Sequence, residues 1–420
     1  MGSSGGSNPG PISCGSWIRR PENVNLALIG RSRRPDSSPS TVEIFSFDPK
    51  VASLSSSPLT EFVFEECDGD LVSVAVHPSG DEIVCSTTQG GCKKRQFKFL
   101  VHGHVLPLGH NFLRKLSSRL LELCGQELNV KLLIKELPSL KDVGPQSCLT
   151  FSVDGSKLAT GGVNGHLRIL EWPSLRPILD EPNAHKSVRD MDFSLDSEFL
   201  ASTSSDGSAR VWKTDDGVPI TTLTRNADEK IELCRFSKDG TKPFLFCTVQ
   251  KGEKAVTAVW DISNWKRIGY KRLLRKPACI MSISRDGKYL ALGSKDGDVC
   301  VAEVKKMEVS HMSKRLHLGT SIKTLEFCPS ERVILTSSVE WGALVTKLNV
   351  PADWKEWQIY VLLISLFLAS AVVFYIFYEN SDSFWQFPLG RDQPARPRFD
   401  SFVGDSQSQS ADDPFGPVDM

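Results

Sequence analysis

The chain has 420 residues, and its fifty basic and fifty acidic side chains balance. This balance gives no electrostatic reason to expect a nucleic-acid partner. Eleven cysteines are scattered without a C-x-x-C pair, which argues against a zinc site or a disulfide framework and favours a reducing compartment. The cysteines are Cys14, Cys67, Cys85, Cys92, Cys124, Cys148, Cys234, Cys247, Cys279, Cys300 and Cys328.

The N-terminal segment, residues 1–20, is predicted to be a flexible N terminus. Its opening stretch, "MGSSGGSNPGPISCGSW", has no charged n-region followed by an apolar core, so it does not read as a secretory signal. We therefore expect the large soluble region behind it to remain in the cytosol.

Residues 21–350 contain seven related units. Stretches such as "MDFSLDSEFLASTSSDGSARVW" and "MSISRDGKYLALGSKDGDVCVAEV" each hold short apolar strands separated by Asp-Gly or Ser-Gly turns. The first unit, "VNLALIGRSRRPDSSPSTVEIFSF", fits as one hairpin. A spacing of about 40–45 residues is typical of propeller blades. The sequence thus predicts an all-β fold, a seven-bladed WD-repeat-like β-propeller.

Within the second blade, residues 102–143 interrupt the pattern. Their first half has apolar residues at helix-like spacing, and "VKLLIKEL" follows with β-like character. We interpret the region as part of the blade with an insertion; a long blade loop is the alternative.

Four polar or aromatic positions recur in one blade. His185, Ser202, Asp206 and Trp212 match the polar network that supports WD-repeat blades. A histidine near a carboxylate also suggests catalysis, but all four positions follow the repeat, so the structural role is favoured.

A late apolar segment predicts a transmembrane helix over residues 357–378. From Ile359 to Tyr378 there are twenty residues without a charge, and about 1.5 Å of rise per residue gives about 30 Å, the thickness of a bilayer core. Aromatic residues gather at both ends, as at a membrane boundary. A buried core helix is the alternative.

Charges near this helix do not determine its orientation. Because about 350 residues precede it without a signal sequence, we expect a cytosolic propeller and a lumenal tail over residues 379–420. The tail is acidic, rich in serine and predicted to be disordered.

No catalytic motif emerges: there is no P-loop, no G-x-S-x-G and no H-E-x-x-H. We therefore predict no catalytic residues, metal site or cofactor, and no enzyme in the hydrolase or oxidoreductase sense. An active site assembled across blades stays open as an alternative.

The layout of propeller, late helix and short tail resembles the endoplasmic-reticulum exchange factors for the small GTPase that initiates COPII coat assembly. The stretch "QSCLTFSVDGSKLATGGVNGHLRILEWPSL" and the blade containing His185 are similar to a plant branch of that family, the phosphate transporter traffic facilitators. The resemblance implies an endoplasmic-reticulum membrane location, phosphate transporters as cargo and the GTPase as a partner.

The resemblance also implies a glycine-rich first loop whose carbonyls hold a potassium ion in active exchange factors. Here only Gly30 remains, Ser40 stands at the asparagine position, and Arg31, Arg33 and Arg34 bring positive charge. Pro35 and Pro39 stiffen the loop, and residues other than glycine resist positive φ.

We therefore expect exchange activity to be lost or nearly lost. The alternative is that the loop is only a variable surface connection, whose sequence says nothing about exchange activity. The competing functional hypotheses are an active exchange factor for the COPII-initiating GTPase, and a generic WD-repeat scaffold at some other membrane.

Overall fold

The computed structural model describes residues 10–19, 26–34, 39–89, 92–100, 129–137, 140, 143–241, 243–350 and 356–379. The chain divides into two units, Met1–Val350 and Pro351–Met420. The predicted lumenal tail beyond Glu379 and the helix-like half of the second-blade insertion lie outside the described residues.

The first unit is built from β-strands. In chain order they are β1 Ile12–Ile18, β2 Leu26–Arg31, β3 Thr41–Asp48, β4 Ser53–Leu54, β5 Thr60–Val63, β6 Leu71–Val76, β7 Glu82–Thr87, β8 Cys92–Leu100, β9 Asn129–Glu136, β10 Gln146–Phe151, β11 Lys157–Gly162, β12 Leu167–Glu171, β13 Pro177–Glu181, β14 Val188–Phe193, β15 Phe199–Ser204, β16 Ala209–Lys213, β17 Pro219–Thr222, β18 Lys230–Phe236, β19 Phe244–Lys251, β20 Lys254–Asp261, β21 Lys266–Lys271, β22 Ala278–Ile283, β23 Tyr289–Ser294, β24 Val299–Glu303, β25 Glu308–Ser313, β26 Ile322–Phe327, β27 Val333–Ser338 and β28 Gly342–Lys347.

These strands form seven antiparallel sheets, so the prediction of a seven-bladed propeller is confirmed. Five blades have four strands each; blade 1 divides its outer edge between β4 and β5, and blade 7 has only β26–β28 in the described chain. The β-like half of the second-blade insertion forms β9, which pairs with β8.

Tight turns join the strands of each blade. Gly207 and Gly297 follow aspartates in these turns and have φ values of 84° and 82°. A side chain resists this left-handed conformation, so glycine is favoured there. Apolar residues alternate with polar ones along the strands and pack between neighbouring blades, for example Val211 of blade 4 with Trp260 of blade 5.

The first strand of each blade faces the propeller axis, and these inner strands form a closed ring. Going round, β1, β6, β10, β14, β18, β22 and β26 each lie beside the next, and β26 lies beside β1. Side-chain hydroxyls join successive inner strands: Ser73 Oγ donates to the Gln146 carbonyl at 2.9 Å, and Ser147 Oγ donates to the Val188 carbonyl at 2.6 Å.

The structure differs from the prediction at the N terminus. Within the segment expected to be flexible, Ile12–Ile18 forms β1, the inner strand of blade 1, with Trp17 and Ile18 buried. The small residues that made the segment look unstructured are required by close packing. A Cβ on Gly15 would lie 3.1 Å from Thr324 Oγ1 and 3.2 Å from the Leu28 carbonyl.

Glu326 of blade 7 holds β1 in the ring. Its Oε2 accepts hydrogen bonds from the Trp17 backbone N–H and from Ser16 Oγ, both at 3.0 Å. The Trp17 indole Nε1–H donates to the Glu326 carbonyl at 3.3 Å. The N-terminal strand is thus bound to the last blade, which closes the propeller.

The second unit contains one described helix, α1, Glu356–Glu379. Within Gln358–Glu379, an 18-residue window has a mean hydropathy of 2.6, and the length and composition of the helix suit a membrane span. The apolar side chains of α1 are exposed along the helix. These bounds agree with the helix expected over residues 357–378.

Replacing Glu326 by alanine is expected to destabilise the propeller by about 1–3 kcal/mol, because the Trp17 N–H and the Ser16 hydroxyl lose their acceptor in a partly buried site. Thermal unfolding of the full chain, followed through tryptophan fluorescence, measures the effect. Glu308→Ala, which removes an exposed carboxylate from β25, is the matched control. Equal unfolding midpoints for the two variants would show that Glu326 is not needed for ring closure.

Candidate functional site

The β2–β3 hairpin of blade 1 is the candidate site, because it occupies the position of the exchange loop in the family that the sequence resembles. Both ends of its loop are bound to the segment formed by the last residues of the link between β5 and β6 and the first residue of β6. The Arg33 N–H donates to Asp70 Oδ1 at 3.0 Å, and Ser32 Oγ donates to the Leu71 carbonyl at 3.3 Å. Ser40 Oγ donates to the Gly69 carbonyl at 3.2 Å. The hairpin is therefore hydrogen-bonded to the segment that begins blade 2.

Arg31 does not present a free charge. Its Nε lies 2.9 and 3.0 Å from the two carboxylate oxygens of Glu43, and its Nη1 donates to the Gly10 carbonyl at 3.1 Å. Both side chains are largely buried, with 18% and 12% of their surfaces exposed. The sequence suggested that three arginines bring positive charge to this loop. In the structure, Glu43 neutralises the charge of Arg31.

The other two arginines lie at the surface. Arg33 Nη2 is 3.5 Å from Glu66, and both side chains are open to solvent, so this pair contributes little stability. Arg34 is exposed and has no ion pair with any residue that the structure describes. The positive charge of this rim therefore comes mainly from Arg34 and in part from Arg33.

Gly30 is a packing residue within β2. It pairs with Cys14 on one side and Val42 on the other, and its φ lies outside the left-handed region. A Cβ there would lie 2.5 Å from both Cys14 Sγ and Leu71 Cδ2. Burial raises the pKa of the Cys14 thiol to about 12, so this contact is with a neutral thiol.

The described part of the hairpin does not fit a carbonyl cage for potassium. None of residues 26–34 and 39–48 has a positive φ. A chain needs residues with positive φ to turn successive carbonyl groups towards one ion at low energy. The Gly30 carbonyl already accepts a hydrogen bond from Ser13 Oγ at 3.2 Å. Pro35 and the three residues after it, at the tip, lie outside the described residues.

Acidic residues around the hairpin were not singled out from the sequence. Glu43 neutralises Arg31, Asp70 holds the Arg33 backbone, and buried Asp68 pairs with Lys93 of β8. The signal was available in "EECDGD", an acidic run immediately before β6. Its position beside Arg33 depends on how blade 1 packs on blade 2, which spacing alone does not reveal.

In the blade network, the structure brings together three of the four predicted residues. Ser202 Oγ lies 2.7 Å from His185 Nε2 and accepts a hydrogen bond from Trp212 Nε1–H at 2.8 Å. Asp206 instead accepts hydrogen bonds from the backbone and hydroxyl of Ser208 within its own turn, at 2.8 and 2.7 Å. The contacts support a structural role for these side chains.

Burial, and secondarily the charge of Arg210, lower the pKa of His185 to about 4. The imidazole is therefore neutral in the folded protein at neutral pH. No group of three or more histidine, cysteine or acidic side chains in the described ranges is arranged to hold a metal ion.

Comparisons with known proteins agree with the fold and give relatives for the whole chain. The model of the WD domain, G-beta repeat, matches residues 139–170 and 177–213. The chain is 58% identical to SEC12-like protein 1 of Arabidopsis thaliana, covering 96% of both chains. It is 31% identical to SEC12-like protein 2 of the same plant, over 73% of this chain and 71% of the relative.

A more distant similarity covers about half of each protein. The chain is 25% identical to the guanine nucleotide-exchange factor SEC12 of Mus musculus over 49% of its own length and 53% of the mouse protein.

Replacing Gly30 by alanine is expected to destabilise the propeller by about 1–3 kcal/mol, because the new methyl group overlaps Cys14 and Leu71. The change in the unfolding free energy measures this. Gly269→Ala is the control, since a Cβ at Gly269 meets nothing within 4 Å and its φ is also outside the left-handed region. If both variants are as stable as the wild type, Gly30 is not a packing glycine.

The stability of the propeller is expected to fall as the pH is lowered from about 6.5 towards about 4. In that window the unfolded chain binds a proton at His185, whose ordinary pKa is 6.5, and the folded chain does not. His185→Gln removes this contribution. The difference in unfolding free energy between wild type and variant, measured against pH, should therefore become smaller towards pH 4. A difference that is constant with pH would contradict the lowered pKa of His185.

Proposed function

Because the chain belongs to the SEC12-like family of WD-repeat proteins, we propose that it is an accessory protein of the endoplasmic-reticulum membrane. In this proposal it promotes the exit of plasma-membrane phosphate transporters from that compartment and has no nucleotide-exchange activity. The observation that carries the loss of exchange is the first hairpin. Its described residues lack positive φ, and the one remaining glycine packs inside the sheet.

A role through protein contacts suits the architecture. The ring of blades is a rigid support for surface loops, where binding residues are commonly found. A single membrane helix confines such a rim to the membrane that holds its cargo. Confinement raises the effective concentration, so weak contacts with a membrane protein suffice.

The proposal places the propeller in the cytosol and the C-terminal tail in the lumen. All ten cysteines in the described part of the chain are free thiols. An oxidising compartment favours disulfides, so free thiols agree better with the reducing cytosol. The phosphate transporters as cargo rest on the family resemblance of the sequence.

The second candidate is an active exchange factor for the GTPase that initiates COPII assembly. The similarity to the mouse guanine nucleotide-exchange factor favours it. In that case the tip of the first loop, residues 35–38, would have to act on the GTPase without the glycine-rich sequence. A scaffold at some other membrane is a third hypothesis, and the location of a tagged chain tests it.

Deletion of the gene is expected to retain phosphate transporters in the endoplasmic reticulum, while an unrelated plasma-membrane protein reaches the surface normally. The fraction of each protein at the cell surface is the measurement. Re-expression of the wild-type chain should restore the transporters. Normal transporter delivery in the deletion line would rule out the proposed role.

Nucleotide release separates the proposal from the second candidate. The purified full chain in detergent is mixed with the GTPase carrying a fluorescent GDP, and an exchange factor with an intact glycine-rich loop serves as the positive control. We expect release at the intrinsic rate of the GTPase. Faster release that rises with the concentration of the chain would establish the exchange factor instead.

A further inference from the structure

The axial channel of the propeller contains charged side chains that the proposed function does not use. It is a cavity of about 440 Å³ lined by residues from the inner strands of all seven blades. This volume is within the range of small-molecule sites in proteins. The charged side chains along the channel are Arg19, Arg189, Asp190, Asp192, Arg235, Lys238, Arg285, Lys323 and Glu326.

The three carboxylates of this channel are already occupied. Asp190 pairs with Arg235 at 2.6 Å and accepts the Cys234 N–H at 3.0 Å. Asp192 accepts the Phe236 N–H at 2.8 Å, and Glu326 holds β1. They bind the protein's own donors between neighbouring blades, so they are not free to receive a cation from solvent.

Three of the basic side chains lie at one end of the channel. Arg19, Lys238 and Arg285 each follow the end of an inner strand, in blades 1, 5 and 6. The inner strands run in the same direction, because Asp190 contacts Cys234 and Asp192 contacts Phe236 in parallel register. The three side chains therefore surround the same mouth of the channel.

No carboxylate of the described chain lies within ion-pair distance of these three groups. The acids next to Lys238 and Arg285 in sequence, Asp239 and Asp286, accept hydrogen bonds from their own turns, from the Thr241 N–H at 2.7 Å and from the Lys288 N–H at 3.1 Å. The acid nearest Arg19 in sequence, Glu22, lies outside the described residues. Three cations thus converge on one opening without an ion-pair partner among the described residues. Lysine and arginine at such a position are suited to phosphate oxygens.

Apolar residues follow the inner strands of three other blades at this mouth, next to the polar His77 and Ser152. The corresponding positions after the inner strands of blades 2, 3 and 7 are Pro78, Val153 and Pro329, which also line the cavity. The opening thus has a basic part and an apolar part, and none of the channel's three carboxylates follows the end of an inner strand. A compact ligand with several anionic groups matches this arrangement better than a single small anion.

We propose that this mouth of the axial channel binds a multiply phosphorylated ligand through Arg19, Lys238 and Arg285. Phosphate esters on a compact ring are the recognised chemistry. They reach the mouth either as a free inositol polyphosphate or as the phosphorylated headgroup of a membrane lipid. The site is independent of the first hairpin and of nucleotide exchange, so the proposal stands or falls separately from the proposed function.

Two probes distinguish the sources. In the first experiment, the full chain in a neutral detergent is titrated calorimetrically with inositol hexakisphosphate. In the second, the full chain in phosphatidylcholine nanodiscs is sedimented with phosphatidylcholine vesicles, with or without phosphatidylinositol 4-phosphate. We expect saturable binding, one ligand per chain, in at least one of the two experiments.

The variant Arg19→Glu, Lys238→Glu, Arg285→Glu reverses the charges of the mouth. Its affinity for the probe that binds is expected to fall by at least about tenfold, equivalent to about 1.4 kcal/mol. The control reverses three exposed lysines outside the channel, as Lys266→Glu, Lys305→Glu, Lys306→Glu. Because it changes the net charge equally, it should bind within about twofold of the wild type once salt screens long-range effects.

Circular dichroism and thermal unfolding verify that the variants are folded. If the triple variant does not fold, Arg285→Gln alone should weaken binding several-fold, with Lys305→Gln as its control. Binding of inositol hexakisphosphate identifies a soluble ligand; vesicle binding alone identifies a lipid headgroup. Absence of saturable binding to both probes, or equal loss in the mouth and control variants, would overturn the proposal.

Discussion

The fold depends on closure of a ring of seven blades by its first strand. An open arc of blades would leave an apolar sheet face uncovered at each end, which a soluble protein avoids. Here β1 lies between β6 and β26, and one carboxylate, Glu326, accepts from both the backbone and the side chain of adjacent residues in that strand. Every surface at the rim and along the axis is positioned by this closure.

Closure also explains why small residues lie close to the axis. Gly15 faces Thr324 of blade 7, and Gly30 faces Leu71 of blade 2 as well as Cys14 of its own blade. A glycine that looks like the remnant of a flexible loop is thus part of the packing. The first hairpin is held in place by Gly69 and Asp70 of the link to blade 2 and by Leu71, the first residue of β6.

Charge in this protein is arranged by blade contacts and not by local sequence. Arg31 and Glu43 neutralise each other beside the first loop, and Asp190 and Arg235 do so between blades 4 and 5. Arg19, Lys238 and Arg285, although far apart along the chain, have no such partner in the part of the chain that the structure describes. A nearly neutral chain can therefore still carry a locally cationic opening, because net charge reports nothing about how charges are distributed.

The sequence by itself determined the blade count, the Asp-Gly turns and the late apolar helix, because each is a local pattern of strand length, turn chemistry or hydropathy. It also paired His185 and Trp212 with Ser202 through the repeat, whereas Asp206 stays within its own turn. Only the tertiary structure decided that the Ser- and Gly-containing segment Ile12–Ile18 is a strand, that Arg31 is neutralised and that three distant basic residues meet at one mouth. These features arise where strands distant in sequence pack together, and such contacts leave no fixed spacing in the chain.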